Sequence, residues 1–175
     1  VVGEGDGIMV KEVLIRYERC VGCLSCELAC AVAHSESKTL FGAIGEAKRP
    51  LKRIFVHQAG AKKVPLNCRH CGEAPCLDAC IAGSMYRTED GIVTNEGGER
   101  PCVGCWMCVM VCPYGVIRSQ LEEKLAVKCD RNCLDDAGVP ACVRACPTGA
   151  LVYDSIEKYS EDRRKEFLAK AIGGL

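Results

Sequence analysis

All sixteen cysteines of this 175-residue chain fall into four groups of four. Cys20, Cys23, Cys26 and Cys30 follow C-x2-C-x2-C-x3-C, and Cys68, Cys71, Cys76 and Cys80 follow C-x2-C-x4-C-x3-C. Cys102, Cys105, Cys108 and Cys112 repeat the first pattern and run into Pro113. Cys129, Cys133, Cys142 and Cys146 follow C-x3-C-x8-C-x3-C and run into Pro147. Three thiolates spaced by two residues can wrap one compact inorganic cluster, while the fourth, three residues further on, points away from that loop. The expectation is four [4Fe-4S] clusters that use every cysteine in the chain.

In two-cluster bacterial ferredoxins the fourth cysteine ligates the other cluster, so paired groups are tied together through iron. The second and fourth groups are less specific alone and gain force from the shared final C-x3-C. The fourth group read alone also suits structural zinc, which favours C-x2-4-C pairs across a longer gap. A zinc-binding structural module is therefore the alternative from another class. A reducing compartment argues against a disulfide framework, and a thioredoxin-like pair lacks its βαβ surroundings.

Composition narrows the function further. Lys plus Arg and Asp plus Glu both number 23, so no basic excess points to nucleic acid. Hydrophobic residues at 49% exclude a disordered tail. Each cluster held by four thiolates carries about −2, so four add about −8 that the formal zero omits. Lysines, arginines and the N–H groups around Gly22, Gly72 and Gly104 are the candidates to offset it. The stretch 1–7 has neither a basic n-region nor an apolar h-region. The longest charge-free stretch, residues 101–117, holds four cysteines and Pro113, which speaks against a spanning helix. The expected location is cytoplasmic, with peripheral attachment to a membrane complex as the variant.

Residues 9–17 read as a strand leading into the first cysteine loop, and 27–32 as a helical turn carrying Cys30. Residues 33–67 read as an insertion with a strand at 53–57 and a turn at Gly60 before Val64-Pro65-Leu66. Met85-Tyr86-Arg87 and Ile92-Val93-Thr94 flank Asp90-Gly91, a hairpin signal. Short strands are expected at 115–117 and 150–153. Cys112-Pro113-Tyr114-Gly115-Val116-Ile117 aligns without a gap on Cys146-Pro147-Thr148-Gly149-Ala150-Leu151, an internal repeat. Asp154 and Glu157 have capping-box spacing. Ile156, Tyr159, Phe167, Leu168, Ala171 and Ile172 form an apolar stripe broken by Arg163 and closed by Gly173 and Gly174. That helix is expected to lie across the cluster domain, with docking to a partner subunit as the other reading. The expected fold class is α+β: tandem bacterial-type 2[4Fe-4S] ferredoxin-like units with short strands, insertions and a C-terminal helix. The expected domains are 9–153, with the insertion at about 33–67, and a helix at 154–175.

Clusters with four protein thiolates leave no open iron position, and catalytic metal sites keep one. No glycine-rich fingerprint follows a strand in a βαβ unit, which argues against a nicotinamide or flavin site. The only histidines are His34, His57 and His70. His70, between Arg69 and Cys71, reads either as a donor to cluster sulfur or, the favoured reading, as a solvent-facing side chain. Lys48, Arg49, Lys52, Arg53, Lys62 and Lys63 form a candidate docking patch, with a solvated loop as the bland reading. The expectation is an electron relay with no catalytic residues of its own.

On the four cysteine groups, and on Cys68-Arg69-His70-Cys71, Ala74-Pro75-Cys76 and Cys146-Pro147-Thr148-Gly149-Ala150, the chain resembles the four-cluster ferredoxin-like iron-sulfur subunits of large oxidoreductase complexes. Ser25-Cys26-Glu27-Leu28-Ala29-Cys30-Ala31-Val32-Ala33-His34-Ser35 and Cys105-Trp106-Met107-Cys108-Val109-Met110-Val111-Cys112-Pro113 are most similar to the ferredoxin-like subunit of nickel carbon monoxide dehydrogenase. That resemblance implies carbon monoxide dehydrogenase as donor and a hydrogenase or NAD(P)-reducing flavoprotein as acceptor. Formate dehydrogenase, hydrogenase or a molybdenum or tungsten oxidoreductase is the alternative host. It also implies the ligand sets Cys20, Cys23, Cys26 with Cys146; Cys30 with Cys129, Cys133, Cys142; Cys68, Cys71, Cys76 with Cys112; and Cys80 with Cys102, Cys105, Cys108. The family usually begins its fourth group C-x2-C, so the three residues between Cys129 and Cys133 are a departure. The absence of the C-terminal membrane anchor of some relatives is a second departure and gives the expectation of a soluble or peripheral protein.

Overall fold

The computed structural model describes residues 11–173. In chain order, the first half holds β1 (Glu12–Ile15), α1 (Ser25–Ala33), α2 (Leu40–Gly45), β2 (Ile54–Ala59), β3 (Lys62–Asn67) and α3 (Pro75–Asp78). The second half holds β4 (Tyr86–Arg87), β5 (Val93–Thr94), α4 (Met107–Val111), β6 (Arg118–Gln120), β7 (Leu125–Val127), α5 (Ala141–Arg144), β8 (Leu151–Asp154) and α6 (Ile156–Ile172). The strands pair as four separate two-stranded antiparallel ladders, β1 with β8, β2 with β3, β4 with β5 and β6 with β7. The fold is α+β, with tandem ferredoxin-like units. Elements this short cannot bury enough on their own, and cysteine loops fill the gaps between them.

The two units are nested. Pairing of β1 with β8 sets Leu14 opposite Val152, and α1 packs on α5. The first and fourth cysteine groups thereby share one body, whose core is Val13, Cys26, Cys30, Ile54, Cys142 and Leu151. Between them in sequence, α3 packs on α4, and the second and third groups share a core of Ala74, Met85, Val93, Cys108, Ile117 and Ala126. With only three Phe, one Trp and five Tyr in the chain, thiols and small aliphatic groups occupy the positions that rings would otherwise fill. The hairpin β2–β3 seals the outer body through Ile54, which is 2% exposed.

Several expectations shift by a residue or two. Met9 and Val10 lie outside the described residues, β1 is confined to Glu12–Ile15 of the expected range, and Tyr17 begins a 3-10 turn. The strand expected at 115–117 does not form there. Gly115, at φ +61°, turns the chain with its N–H on the Cys112 carbonyl at 3.2 Å, Val116 and Ile117 drop into the core, and β6 begins at Arg118. The cap of α6 is Ser155 rather than Asp154: the Ser155 hydroxyl accepts from Lys158 N–H at 3.2 Å, while Asp154 accepts from Ser155 N–H at 3.0 Å.

The helix α6 lies against the outer body, but through polar groups rather than its apolar stripe. Tyr159 donates its hydroxyl to the Ile15 carbonyl at 3.1 Å. Arg163 pairs with Glu18, and Glu166 with Arg16 and, at 2.9 Å, with Arg19. Phe167, Leu168 and Ile172 stay exposed, and Gly174 lies outside the described residues. Among the described residues, no helix is long and apolar enough to cross a membrane.

Candidate functional site

The first and third cysteine loops have the same backbone. Gly22 and Leu24 sit at φ +70° and +62°, Gly104 and Trp106 at +66° and +62°. Each left-handed non-glycine residue costs about 1–2 kcal/mol, a cost that a purely structural turn would avoid by using glycine. The alternation turns successive N–H groups toward one concavity, the geometry that receives anions. Gly104 also has a steric reason: a Cβ there would lie 2.6 Å from the Lys124 carbonyl oxygen, a backbone atom that cannot move aside. At Gly22 the atom met is the flexible Lys63 side chain.

These loops gather thiols from different groups. Cys20, Cys23, Cys26 and Cys146 line one small recess, together with Val56, Pro65 and Leu151. Cys80, Cys102, Cys105 and Cys108 line a second, together with Met85, Trp106 and Ala126. In each recess three cysteines come from one loop and the fourth from another group. Cys30 lies within electrostatic reach of Cys129 and Cys133, and Cys142 of Cys129, Cys133 and Cys30. Cys76 lies within reach of Cys68 and Cys112. Cys71 is half-buried in the loop after His70, its carbonyl taking the Arg87 guanidinium at 2.6 Å.

Holding these thiols together as thiolates requires cations. Burial, reinforced by neighbouring thiols, pushes Cys26 and Cys108 up to about 11, and burial pushes Cys30 up to about 12. Cys142 is raised by burial and then by its four thiol neighbours. Thiols like these ionise together only when metal ions neutralise them. Backbone donors are already in place: Arg53 N–H on Cys30 Sγ and Ala150 N–H on Cys146 Sγ, both at 3.2 Å, and Met85 N–H on Cys80 Sγ at 3.4 Å. Among the described residues, no three His, Cys, Asp or Glu side chains converge closely enough to hold a single metal ion.

His70 gives an independent test of whether a cluster fits. The expectation that it faces solvent is overturned: it is buried, and its Nδ1 accepts from Val93 N–H at 3.1 Å. Burial, with the charges of Lys128 and Arg131, pushes it down to about 3, so the ring is neutral. The proton then sits on Nε2, which is buried with no hydrogen-bond partner. An orphan donor beside Cys68 and Cys71 suits a sulfur acceptor.

Comparison with known proteins agrees with this chemistry. Residues 61–156 match the 4Fe-4S dicluster domain model and residues 17–33 a 4Fe-4S binding domain model. The chain is 40% identical over 169 residues to an iron-sulfur protein of Rhodospirillum rubrum, covering 86% of each. The chain belongs to the 4Fe-4S dicluster family. It is 32% identical to the electron transport protein HydN of Escherichia coli, with 90% of this chain and 97% of HydN covered. It is 32% identical to the probable anaerobic dimethyl sulfoxide reductase chain YnfG of the same species, with 92% and 80% covered. This ferredoxin-like iron-sulfur family thus occurs in several bacterial electron-transfer proteins associated with oxidoreductases.

Two features of this chain were not legible as site chemistry. The residue inserted between Cys129 and Cys133 is absorbed by Arg131 in the left-handed region at φ +59°, with Asn132 N–H closing onto the Asp130 carboxylate at 3.2 Å. Arg131 is thereby turned inward, where it donates to the Lys11 carbonyl at 2.7 Å. Four residues of the candidate basic patch have partners within the chain. Arg53 is buried between Asp130 and Glu96, Lys48 pairs with Glu123, Lys52 pairs with Glu27, and Lys62 lies 4.9 Å from the centre of the Tyr17 ring. Burial alone would raise the Asp130 carboxyl; hydrogen bonding from His34 and the Arg53 charge outweigh it and hold it well below the usual range.

Proposed function

We propose that the chain relays electrons through four [4Fe-4S] clusters. The ligand sets are Cys20, Cys23, Cys26 and Cys146; Cys30, Cys129, Cys133 and Cys142; Cys68, Cys71, Cys76 and Cys112; and Cys80, Cys102, Cys105 and Cys108. The observation that carries this reading is the gathering of each outer recess from three cysteines of one group and one of another. Bound there, a cluster supplies reversible one-electron transfer, and the protein supplies burial, backbone donors to sulfur and insulation. In this reading the sets form a line, supported by Cys142 lying within electrostatic reach of Cys26, Cys129 of Cys68, and Cys108 of Cys76. A line of four has two separate ends, one for a donor and one for an acceptor.

The donor in this reading is a nickel carbon monoxide dehydrogenase, and the acceptor a hydrogenase or a flavin-dependent NAD(P) oxidoreductase. The choice of donor rests on the resemblance of the stretches at 25–35 and 105–113. The name of YnfG, a probable anaerobic dimethyl sulfoxide reductase chain, favours a second reading, in which the same relay serves a formate dehydrogenase, a hydrogenase or a molybdenum or tungsten enzyme. In both, the protein works in the cytoplasm or at the periphery of a membrane complex. Anaerobic affinity purification from native cells at low salt separates the two readings. Nickel together with a carbon monoxide dehydrogenase polypeptide is the expected result. Molybdenum or tungsten without that polypeptide would overturn the choice of donor and leave the relay intact.

A further inference from the structure

Lys128 is the largest fully buried side chain of the described residues, with 1% of its surface exposed. Burying an ammonium group is costly unless an opposite charge compensates it. Its Nζ donates to the Val93 carbonyl and, at 3.3 Å, to the Cys129 carbonyl, both of them neutral acceptors. No carboxylate among the described residues pairs with it; Asp130, next but one in the chain, is engaged by His34, Arg53 and Asn132. The nearby Arg131 likewise rests on a carbonyl. The fourth cysteine group therefore brings cations into the interior in excess of the anions that the side chains provide.

The missing anion has a direction. His70 lies between Cys68 and Cys71 in the second cysteine group, with its backbone N–H on Cys68 Sγ at 3.5 Å. Lys128 and His70 hold the same residue: His70 takes the Val93 N–H and Lys128 takes the Val93 carbonyl. The ammonium thus stands beside the third thiol set, where a four-thiolate cluster would place about −2.

We propose that Lys128 is a fixed internal counter-charge that raises the reduction potential of the cluster held by Cys68, Cys71, Cys76 and Cys112. This rests on the ligand sets proposed above. A cation held in a low-dielectric interior lowers the energy of the electron added on reduction, and solvent screens it little. The third step of the line becomes easier to reduce than it would be without Lys128, and electrons pause there between the two ends. Lys128 acts here as a positioning charge; it binds no substrate.

The plain alternative is that Lys128 only satisfies the Val93 carbonyl. Lys128→Gln keeps a donor and removes the charge, Lys128→Met removes both, and Lys128→Arg keeps the charge. Each is purified anaerobically with its clusters, its iron is counted, and its midpoint potentials are read by EPR-monitored redox titration. The expected result is one midpoint displaced to more negative potential in Lys128→Gln and Lys128→Met, with the others moving less and Lys128→Arg staying near the wild type. Four unmoved midpoints in a fully loaded Lys128→Gln would overturn the proposal. If the neutral variants lose one cluster, its retention by Lys128→Arg supports a requirement for charge, and its loss there as well shows that shape alone matters and overturns the proposal. A wild-type protein without reducible clusters would instead contradict the relay itself.

Discussion

Removing Cys112 together with Cys68 is expected to cost the protein no more iron than removing Cys112 alone, whereas removing Cys112 together with Cys105 costs twice as much. The reason lies in the crossing of fourth cysteines. Cys112 follows Cys102, Cys105 and Cys108 in sequence, but those three line a recess with Cys80, and Cys112 is a neighbour of Cys76. If each cluster needs all four of its thiolates, Cys112→Ala and Cys68→Ala strip the same cluster. The two single variants and their double then retain about twelve of about sixteen iron atoms, at four irons per cluster. Cys112→Ala with Cys105→Ala strips two clusters and leaves about eight. This is a double-mutant cycle in which residues that act as one unit fail to add. Groups that each held their own cluster would reverse the pattern, and iron analysis of the anaerobically purified variants distinguishes the two.

The largest effect on stability is expected at Arg53. Its guanidinium reaches Asp130 and, at 2.7 Å, Glu96, so one side chain just before β2 ties the insertion to the fourth cysteine group and to the inner unit. The Asp130 side chain is 2% exposed and that of Arg53 11%, so solvent screens the pair little. Arg53→Met leaves two carboxylates facing each other around an apolar side chain. Breaking a buried ion pair from one side costs about 3–5 kcal/mol. Denaturant unfolding of the loaded protein under anaerobic conditions should report a loss of that order. The double variant Arg53→Met, Glu96→Gln should recover part of it, because the carboxylate repulsion is then gone. A loss below about 1 kcal/mol, the usual range for an exposed pair, would show that the network is peripheral.

The elements that were legible in the sequence are those whose cause is local. Short apolar runs placed β1, β2 and β8, and Asp90-Gly91 placed the hairpin β4–β5. The helix α2 gave no such signal, because Leu40–Gly45 contains two glycines and owes its start to the Thr39 hydroxyl on Gly42 N–H at 3.2 Å. The strand β7 follows Lys124 at φ +52°, a conformation that its residue type does not announce. For the site, spacing named the sixteen thiols but could not say which gather around one recess. Neither could it reveal that His70 is covered by groups far along the chain, or that Arg53 belongs to a buried network rather than a docking face. Those features depend on long-range partners such as Val93, Lys128 and Asp130, whose positions follow only from the nesting of the two units.

The most direct measurement is iron, sulfide and zinc analysis of the anaerobically purified protein, combined with an EPR-monitored reductive titration. A four-cluster relay should contain about sixteen iron and sixteen sulfide per chain, with no stoichiometric zinc and every cluster reducible. Near-stoichiometric zinc without sulfide, about eight iron, or clusters that remain redox-silent across the titration would contradict it.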